Sequence, residues 1–261
     1  MPVMTYREAL RSAMADEMER DESVVVLGED IGVYGGTHLV TDTLLDRFGP
    51  KRVIDTPIAE GGFTGAAIGM AMMGMRPIVE MMTWNFALLA IDQVVNAAAK
   101  MLYMSGGQYP MPMVFRGPNG AALQLSAQHS QAWESWLAHI PGLKVIAPGT
   151  PYDAKGLLKA AIRDDNPVLY MFHKGVMGLP WMAKNPRSIG AVPEEEYTIP
   201  IGRAAVAHEG NDVTVVSVSM SVQHCLDVAE ELEGSTSVEV IDLRTIAPLD
   251  RAAILQSVAK T

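Results

Sequence analysis

Short aliphatic runs alternate with helix-patterned stretches along the first 174 residues, and this rhythm most constrains the fold. Val24-Val25-Val26-Leu27, Val53-Ile54-Asp55, residues 76–84, Met113-Val114-Phe115, residues 143–147 and residues 168–172 read as strands. They are apolar on consecutive positions rather than alternate ones, the pattern of strands buried on both faces. Helical segments lie between them. Thr5-Tyr6-Arg7-Glu8 forms a capping box before Tyr6, Ala9, Leu10, Ala13, Met14 and Met18 recur at helical spacing. Residues 61–74 carry a face of glycine and alanine, and residues 91–103 end at Ser105-Gly106-Gly107. Thr150 caps a helix with Pro151 in its first turn that runs to about Arg163. Arg116-Gly117-Pro118-Asn119-Gly120 closes the strand before it as a turn. The alternation predicts an α/β fold with a doubly wound parallel sheet over residues 1–174.

Between residues 175 and 200 the pattern stops. Four prolines, Trp181 and the run Glu194-Glu195-Glu196 mark an interdomain linker. Residues 201–261 hold a second βαβ unit: strand 213–218, helix 221–232 and strand 238–243. Residues 244–250 then lead into a last helix from Arg251. This unit is small for a doubly wound domain and reads as an incomplete second α/β domain.

The formal net charge of -10 argues against nucleic-acid or anionic-membrane partners, which need clustered Lys and Arg. Cys225 is the one cysteine, so no internal disulfide forms, as suits a reducing compartment. Residues 1–23 lack the basic-then-apolar pattern of a leader, and the apolar stretch 63–75 is too short to span a bilayer. A cytoplasmic protein is expected. The 18 methionines read as core and subunit-interface fillers, not metal ligands.

Several common chemistries lack their motifs. No G-x-S-x-G elbow, Walker A loop, strand-borne G-x-G-x-x-G or H-E-x-x-H is present. Two places stand out. The first is Glu60, in Asp55-Thr56-Pro57-Ile58-Ala59-Glu60-Gly61-Gly62. Pro57 pushes Thr56 towards an extended conformation, and the small-residue helix follows at once. The Glu60 carboxyl therefore sits beside free N–H groups and the positive end of a helix dipole. In an open α/β sheet that edge is where ligands bind. Position alone leaves two readings: an ordinary helix-start acid, worth about 1 kcal/mol or less, or a site residue. The second place is His129, in Ser126-Ala127-Gln128-His129-Ser130-Gln131, a polar knot before an apolar helix. It reads either as a helix cap or as a site on a rigid scaffold. His139 and His173 read as structural.

A set of segments in order resembles one family. These are Gly28-Glu29-Asp30, Asp55-Thr56-Pro57-Ile58-Ala59-Glu60, Asn85-Phe86, Ala90-Ile91-Asp92-Gln93 and Met104-Ser105-Gly106-Gly107. Phe115-Arg116-Gly117-Pro118, Gln128-His129-Ser130-Gln131, Thr150-Pro151-Tyr152-Asp153-Ala154-Lys155-Gly156 and Val240-Ile241-Asp242-Leu243-Arg244-Thr245 continue it. The set resembles the β subunit of the thiamine-diphosphate-dependent E1 component of 2-oxoacid dehydrogenase complexes, in the transketolase superfamily. The resemblance implies that Glu60 hydrogen-bonds the cofactor's aminopyrimidine, shares a proton with it and favours the imino tautomer that activates the thiazolium carbon. It implies that Phe86 stacks on the aminopyrimidine. Glu29 would lie near the pyrimidine end, with Ile58 beside Glu60 on the same edge. His129 would face the substrate side, for proton transfer or to receive the lipoyl group of the E2 acyltransferase. In some members a structural potassium ion is held at positions matching Met113, Ala161, Ile162, Asp164 and Asn166, which otherwise read as a helix-to-strand turn.

The superfamily's diphosphate and magnesium site uses G-D-G followed by asparagine, and this chain has no G-D-G. The resemblance therefore implies that an α subunit holds magnesium and the diphosphate, in an α2β2 tetramer. Three departures stand out. Leu88-Leu89 replaces a more polar pair, Phe172 stands where many relatives carry Glu, and the second domain ends early. Gln128 before His129 favours a pyruvate-type member. Acetoin or branched-chain members are the alternative, and a non-catalytic α/β scaffold subunit is the reading from another class.

Overall fold

The structure is a computed structural model and describes residues 1–121, 125–177 and 186–261. In chain order its regular elements begin with β1 (Val3–Thr5), α1 (Tyr6–Arg20), β2 (Val24–Gly28), α2 (Leu44–Phe48), β3 (Val53–Asp55), α3 (Glu60–Met72) and β4 (Arg76–Glu80). Next come α4 (Met101–Met104), β5 (Val114–Asn119), α5 (Glu134–Leu137), β6 (Lys144–Ile146), α6 (Pro151–Arg163), β7 (Val168–His173) and β8 (Ile189–Ala191). The last are β9 (Ala205–His208), β10 (Val213–Ser217), α7 (Met220–Glu231), β11 (Val238–Asp242), β12 (Thr245–Ala247) and α8 (Arg251–Lys260).

The main sheet has seven strands in the order β12-β6-β7-β5-β4-β2-β3. All neighbours are parallel except β12, which is antiparallel to β6. Alternate strand positions feed two cores, as a period of two requires. Val24, Val26, Ile78, Val114, Val168 and Tyr170 pack on one face with α1 and α6. Leu27, Val79, Phe115, Leu169 and Met171 pack on the other with α3 and residues 84–98. Each such side chain, fully buried, contributes about 1.5–3 kcal/mol. A three-layer α/β/α sandwich results, as the strand–helix rhythm predicts.

The predicted caps are present. Thr5 Oγ1 accepts from the Glu8 N–H, and Glu8 Oε2 accepts from the Thr5 N–H at 2.8 Å. Thr150 Oγ1 accepts from the Asp153 N–H at 3.1 Å. Arg163 clasps the fully buried Glu17 through Nε at 2.9 Å and Nη2 at 2.6 Å, tying α6 to α1.

Four stretches differ from the sequence reading. Residues 76–84 are not one strand: β4 ends at Glu80, and Trp84–Ala90 is a 3₁₀ helix whose Met81 and Trp84 flank enters the second core. An apolar run alone does not distinguish the two. Arg116-Gly117-Pro118-Asn119 is not a turn but the last four residues of β5. β4 pairs only as far as Glu80 opposite Arg116, so Pro118 lies beyond it and leaves no ladder bond open on that side. Glycine is required at 117, because a Cβ there would collide with the Met81 carbonyl oxygen. The helical stretch 91–103 contains a π turn, Gln93–Ala98, and Lys100 Nζ donates to the Val95 carbonyl at 2.7 Å.

The fourth is the segment read as a linker. β8 pairs antiparallel with β1, Val192 and Ile199 are buried in the first core, and Glu196 pairs with Lys159 and Arg163. Residues 189–199 form a strap against β1 and α6. Trp181 lies outside the described residues. The second unit holds the expected β10-α7-β11, extended by β9 antiparallel to β11. From it β12 returns to the edge of the main sheet, where the sequence suggests only a lead into α8.

Chain order reverses at β2: β3 lies on one side of it and β4 on the other. The carboxyl ends of β2 and β4 are neighbours, with Gly28 opposite Glu80. A crevice opens at such a reversal, and ligands bind there in open α/β sheets.

Candidate active site

Glu29 leaves β2 at this switch point, and Glu60 is the first residue of α3. Both are buried, at 5% and 4% exposure. The loop carrying Glu29 is pinned from below: Asp55, at the end of β3, accepts the Gly32 N–H at 2.6 Å, and Thr41 Oγ1 donates to the Ile31 carbonyl at 2.7 Å. The Glu29 carboxyl is pushed up to about 7, by burial first, then by the charge of Glu60, then by that of Asp30. Its Oε1 has no hydrogen-bond partner among the described residues. Two coupled acids thus face one crevice, one of them holding a proton near neutral pH and one oxygen left unsatisfied. A buried carboxyl oxygen without a partner costs free energy unless a ligand group supplies a donor.

Phe86 lies in the 3₁₀ turn 84–90, against which the first turn of α3 packs. A Cβ on Gly61 would stand 3.1 Å from the Leu89 carbonyl oxygen, so the small residues of the helix start permit this approach. The Phe86 ring meets the His129 imidazole edge-on, with centroids 5.3 Å apart and planes at 88°. His129 is half-buried, on a short turn rather than at a helix cap. Its loop is tied to the Phe86 turn because Asn85 Nδ2 donates to Gln131 Oε1 at 3.2 Å. Ile58 precedes α3 and is 81% exposed, open to whatever lies above the crevice. The structure therefore forms two pairs, Glu29–Glu60 and Phe86–His129, joined where α3 rests on the 84–90 turn.

The five positions compared with a potassium site also converge, on the opposite edge of the sheet layer. Oxygens at four of them accept protein donors. The Met113 carbonyl takes the Val168 N–H, the Ala161 carbonyl takes the Asp164 N–H, and Arg76 Nη1 donates to the Ile162 and Asp164 carbonyls at 3.1 and 3.2 Å. The Asp164 carboxylate takes Lys144 and both nitrogens of Asn166. Arg76 and Lys144 are the two protein cations that the structure places against this cluster.

Sequence reasoning missed the floor of the crevice. Glu80 and Arg116, at 3% and 0% exposure, form an ion pair beneath the switch point. Burial pushes the Arg116 guanidinium down to about 10, and the Phe172 ring lies 5.7 Å from it. A charged residue inside the apolar run of β4 was the available signal, since a buried charge requires a partner.

The fold has a solved counterpart titled "Split gene transketolase, inactive beta4 tetramer", with a TM-score of 0.79 over 99% of this chain and 77% of that one. At 21% identity this likeness speaks to fold alone. The family model for the transketolase pyrimidine-binding domain matches residues 3–178, and that for the transketolase C-terminal domain matches residues 202–261. The two domain models place the chain in the transketolase-type class, with a pyrimidine-binding domain followed by a C-terminal domain. Curated relatives narrow the class. The pyruvate dehydrogenase E1 component subunit beta of Rickettsia felis is 52% identical over 99% of this chain and 77% of its own length. That of Rhizobium meliloti is 51% identical over 100% of this chain, which spans 55% of the relative's length. A mitochondrial subunit from Caenorhabditis elegans is 48% identical over 99% of the chain. The chain belongs to the family of pyruvate dehydrogenase E1 beta subunits. Among the described residues, no helix is long and apolar enough to cross a membrane.

Proposed function

We propose that the chain acts as the β subunit of a pyruvate dehydrogenase E1, supplying the pyrimidine half of a thiamine diphosphate site shared with an α subunit in an α2β2 assembly. The observation that carries this reading is the coupled Glu29–Glu60 pair at the switch point, with its buried, unpartnered Oε1. An aminopyrimidine offers both a donor and an acceptor, which is what a carboxyl that can hold or release a proton near pH 7 complements. When bound, the cofactor supplies the electron sink for decarboxylation of a 2-oxo acid.

The chain's own residues would divide the work. Glu60, at the start of α3, hydrogen-bonds the pyrimidine and moves a proton to and from its ring nitrogen. Glu29 supplies the second acid contact at the amino end. Phe86 offers an aromatic wall, and Ile58 covers the ring from the exposed side. His129, held edge-on to Phe86, stands on the substrate side as a proton donor or as the receiver of the E2 lipoyl group. Magnesium and the diphosphate fall to the α subunit, because this sequence has no G-D-G.

The test is to assemble the chain with an E1 α subunit and assay a panel of pyruvate, acetoin and branched-chain 2-oxo acids. Thiamine-dependent decarboxylation of pyruvate is expected. Turnover of acetoin or branched-chain acids with none of pyruvate would overturn the substrate assignment. No turnover of any of them would favour the scaffold reading.

A further inference from the structure

One buried cation near the site has no role so far. Lys174 follows β7 directly and is 2% exposed. Its ammonium donates to the main-chain oxygen of His129 at 2.6 Å, across 45 residues of chain. Among the described residues no carboxylate pairs with it. Two imidazoles among the described residues lie in its field. His38, 7% exposed, is pushed down to about 4 by burial, then by Lys174, then by Arg116. His173 is also held below its ordinary value by burial and by Lys174.

An ammonium buried without a carboxylate partner is costly, and a methionine would fill the same volume without that penalty. Among the described residues the compensating contact is with the His129 carbonyl. That oxygen belongs to the loop that carries Gln128, His129 and Gln131. Residues 125–128 are exposed, and Ser126 is held in the left-handed region at φ 69°. Gly120 and Asn85 grip the loop at Gln131, two residues further on. Lys174 holds it at the His129 carbonyl, beside the contact of the His129 ring with Phe86.

We propose that Lys174 is the positioning residue for His129: its ammonium fixes the main chain of that residue so that the imidazole stands edge-on to Phe86 on the substrate side of the crevice. The kinetic consequence rests on the function proposed above; the conformational one does not. Lys174 touches no reacting atom and acts through His129 alone.

Two measurements decide it. The first is hydrogen exchange of the purified chain carrying Lys174→Met or Lys174→Arg. In K174M, exchange across residues 125–131 is expected to rise roughly tenfold or more while α1 stays protected, and K174R is expected to restore most of the protection. Unchanged exchange in K174M overturns the proposal, whatever the activity of the assembly. The second is a double-mutant cycle in the enzyme assembled with its α subunit. K174M is expected to lower kcat roughly 10–100-fold and leave cofactor affinity unchanged. In an H129A background it is expected to add no further loss. An equal loss in both backgrounds overturns the positioning role. If the unmodified assembly decarboxylates no 2-oxo acid, the proposed function fails instead, and the exchange experiment still decides the role of Lys174.

Discussion

Glu29 and Glu60 occupy one electrostatic field, and their separate substitutions should behave differently. Glu60→Gln keeps the size and removes the transferable proton, so decarboxylation by the assembled enzyme should fall by at least about a hundredfold with little change in melting temperature. Equal activity would remove Glu60 from the mechanism. Glu29 reports instead through stability. Its carboxyl is raised from an ordinary 4.5 to about 7, so the folded chain binds its proton more tightly than the unfolded chain does. For such a group the favourable term is fully present below about 4.5 and is lost as pH rises through 7. Above that pH the chain carries a buried, partly screened carboxylate. Glu29→Gln should therefore stabilise the isolated chain at pH 8, by something on the order of 1–3 kcal/mol, and not near pH 4.5. Thermal melts at the two pH values check this, and an identical shift at both would contradict it. Glu60 was legible as a candidate because proline, strand end and glycine-faced helix surround it in sequence. Its pairing with Glu29 was not, because coupling between two loops is set by the order of strands in the sheet.

At the scale of elements, local chemistry was the most legible part of the chain. The two caps at Thr5 and Thr150 form as their spacing demands, since a side chain reaching three residues onward needs no tertiary information. Thr5→Ala should cost about 1 kcal/mol, read as a lower midpoint in urea with an unchanged slope. Elements whose limits depend on distant neighbours were less legible. Arg116-Gly117-Pro118-Asn119 has turn composition, yet it extends β5 because β7 runs alongside it to His173. Gly117 is there for the passage of Met81, not for a turn. Gly117→Ala should consequently destabilise the chain by about 1–3 kcal/mol through overpacking, where a glycine in an open turn would tolerate alanine far better. A denaturation curve matching that of the unmodified chain would show that β4 can yield.

Across the whole molecule, the rhythm of strands and helices was enough for the three-layer sandwich but not for its edges. Residues 175–200 have the composition of a linker, and α6 accounts for the burial within residues 186–200: Gly156 leaves room for Tyr197 and Ile199, and Lys159 and Arg163 draw in Glu196. Residues 1–174 expressed alone should therefore melt well below the full chain or fail to stay in solution, because β1 loses its partner strand and the core loses Val192 and Ile199. Extending the fragment through residue 200 should recover much of the difference. Calorimetry and size-exclusion chromatography would show it, and a fragment 1–174 as stable as the full chain would contradict the account.

The strand β12 has a consequence for how such a protein can change by recombination. It belongs in sequence to the second unit and in space to the first, so the seam of the fold and the seam of the text fall in different places. A chimera cut at the proline-rich segment would take an edge strand away from the sheet it left and bring a foreign one to the sheet it joined. Exchange of modules between relatives should succeed only where the incoming Thr245–Ala247 equivalent still fits the rim of β6.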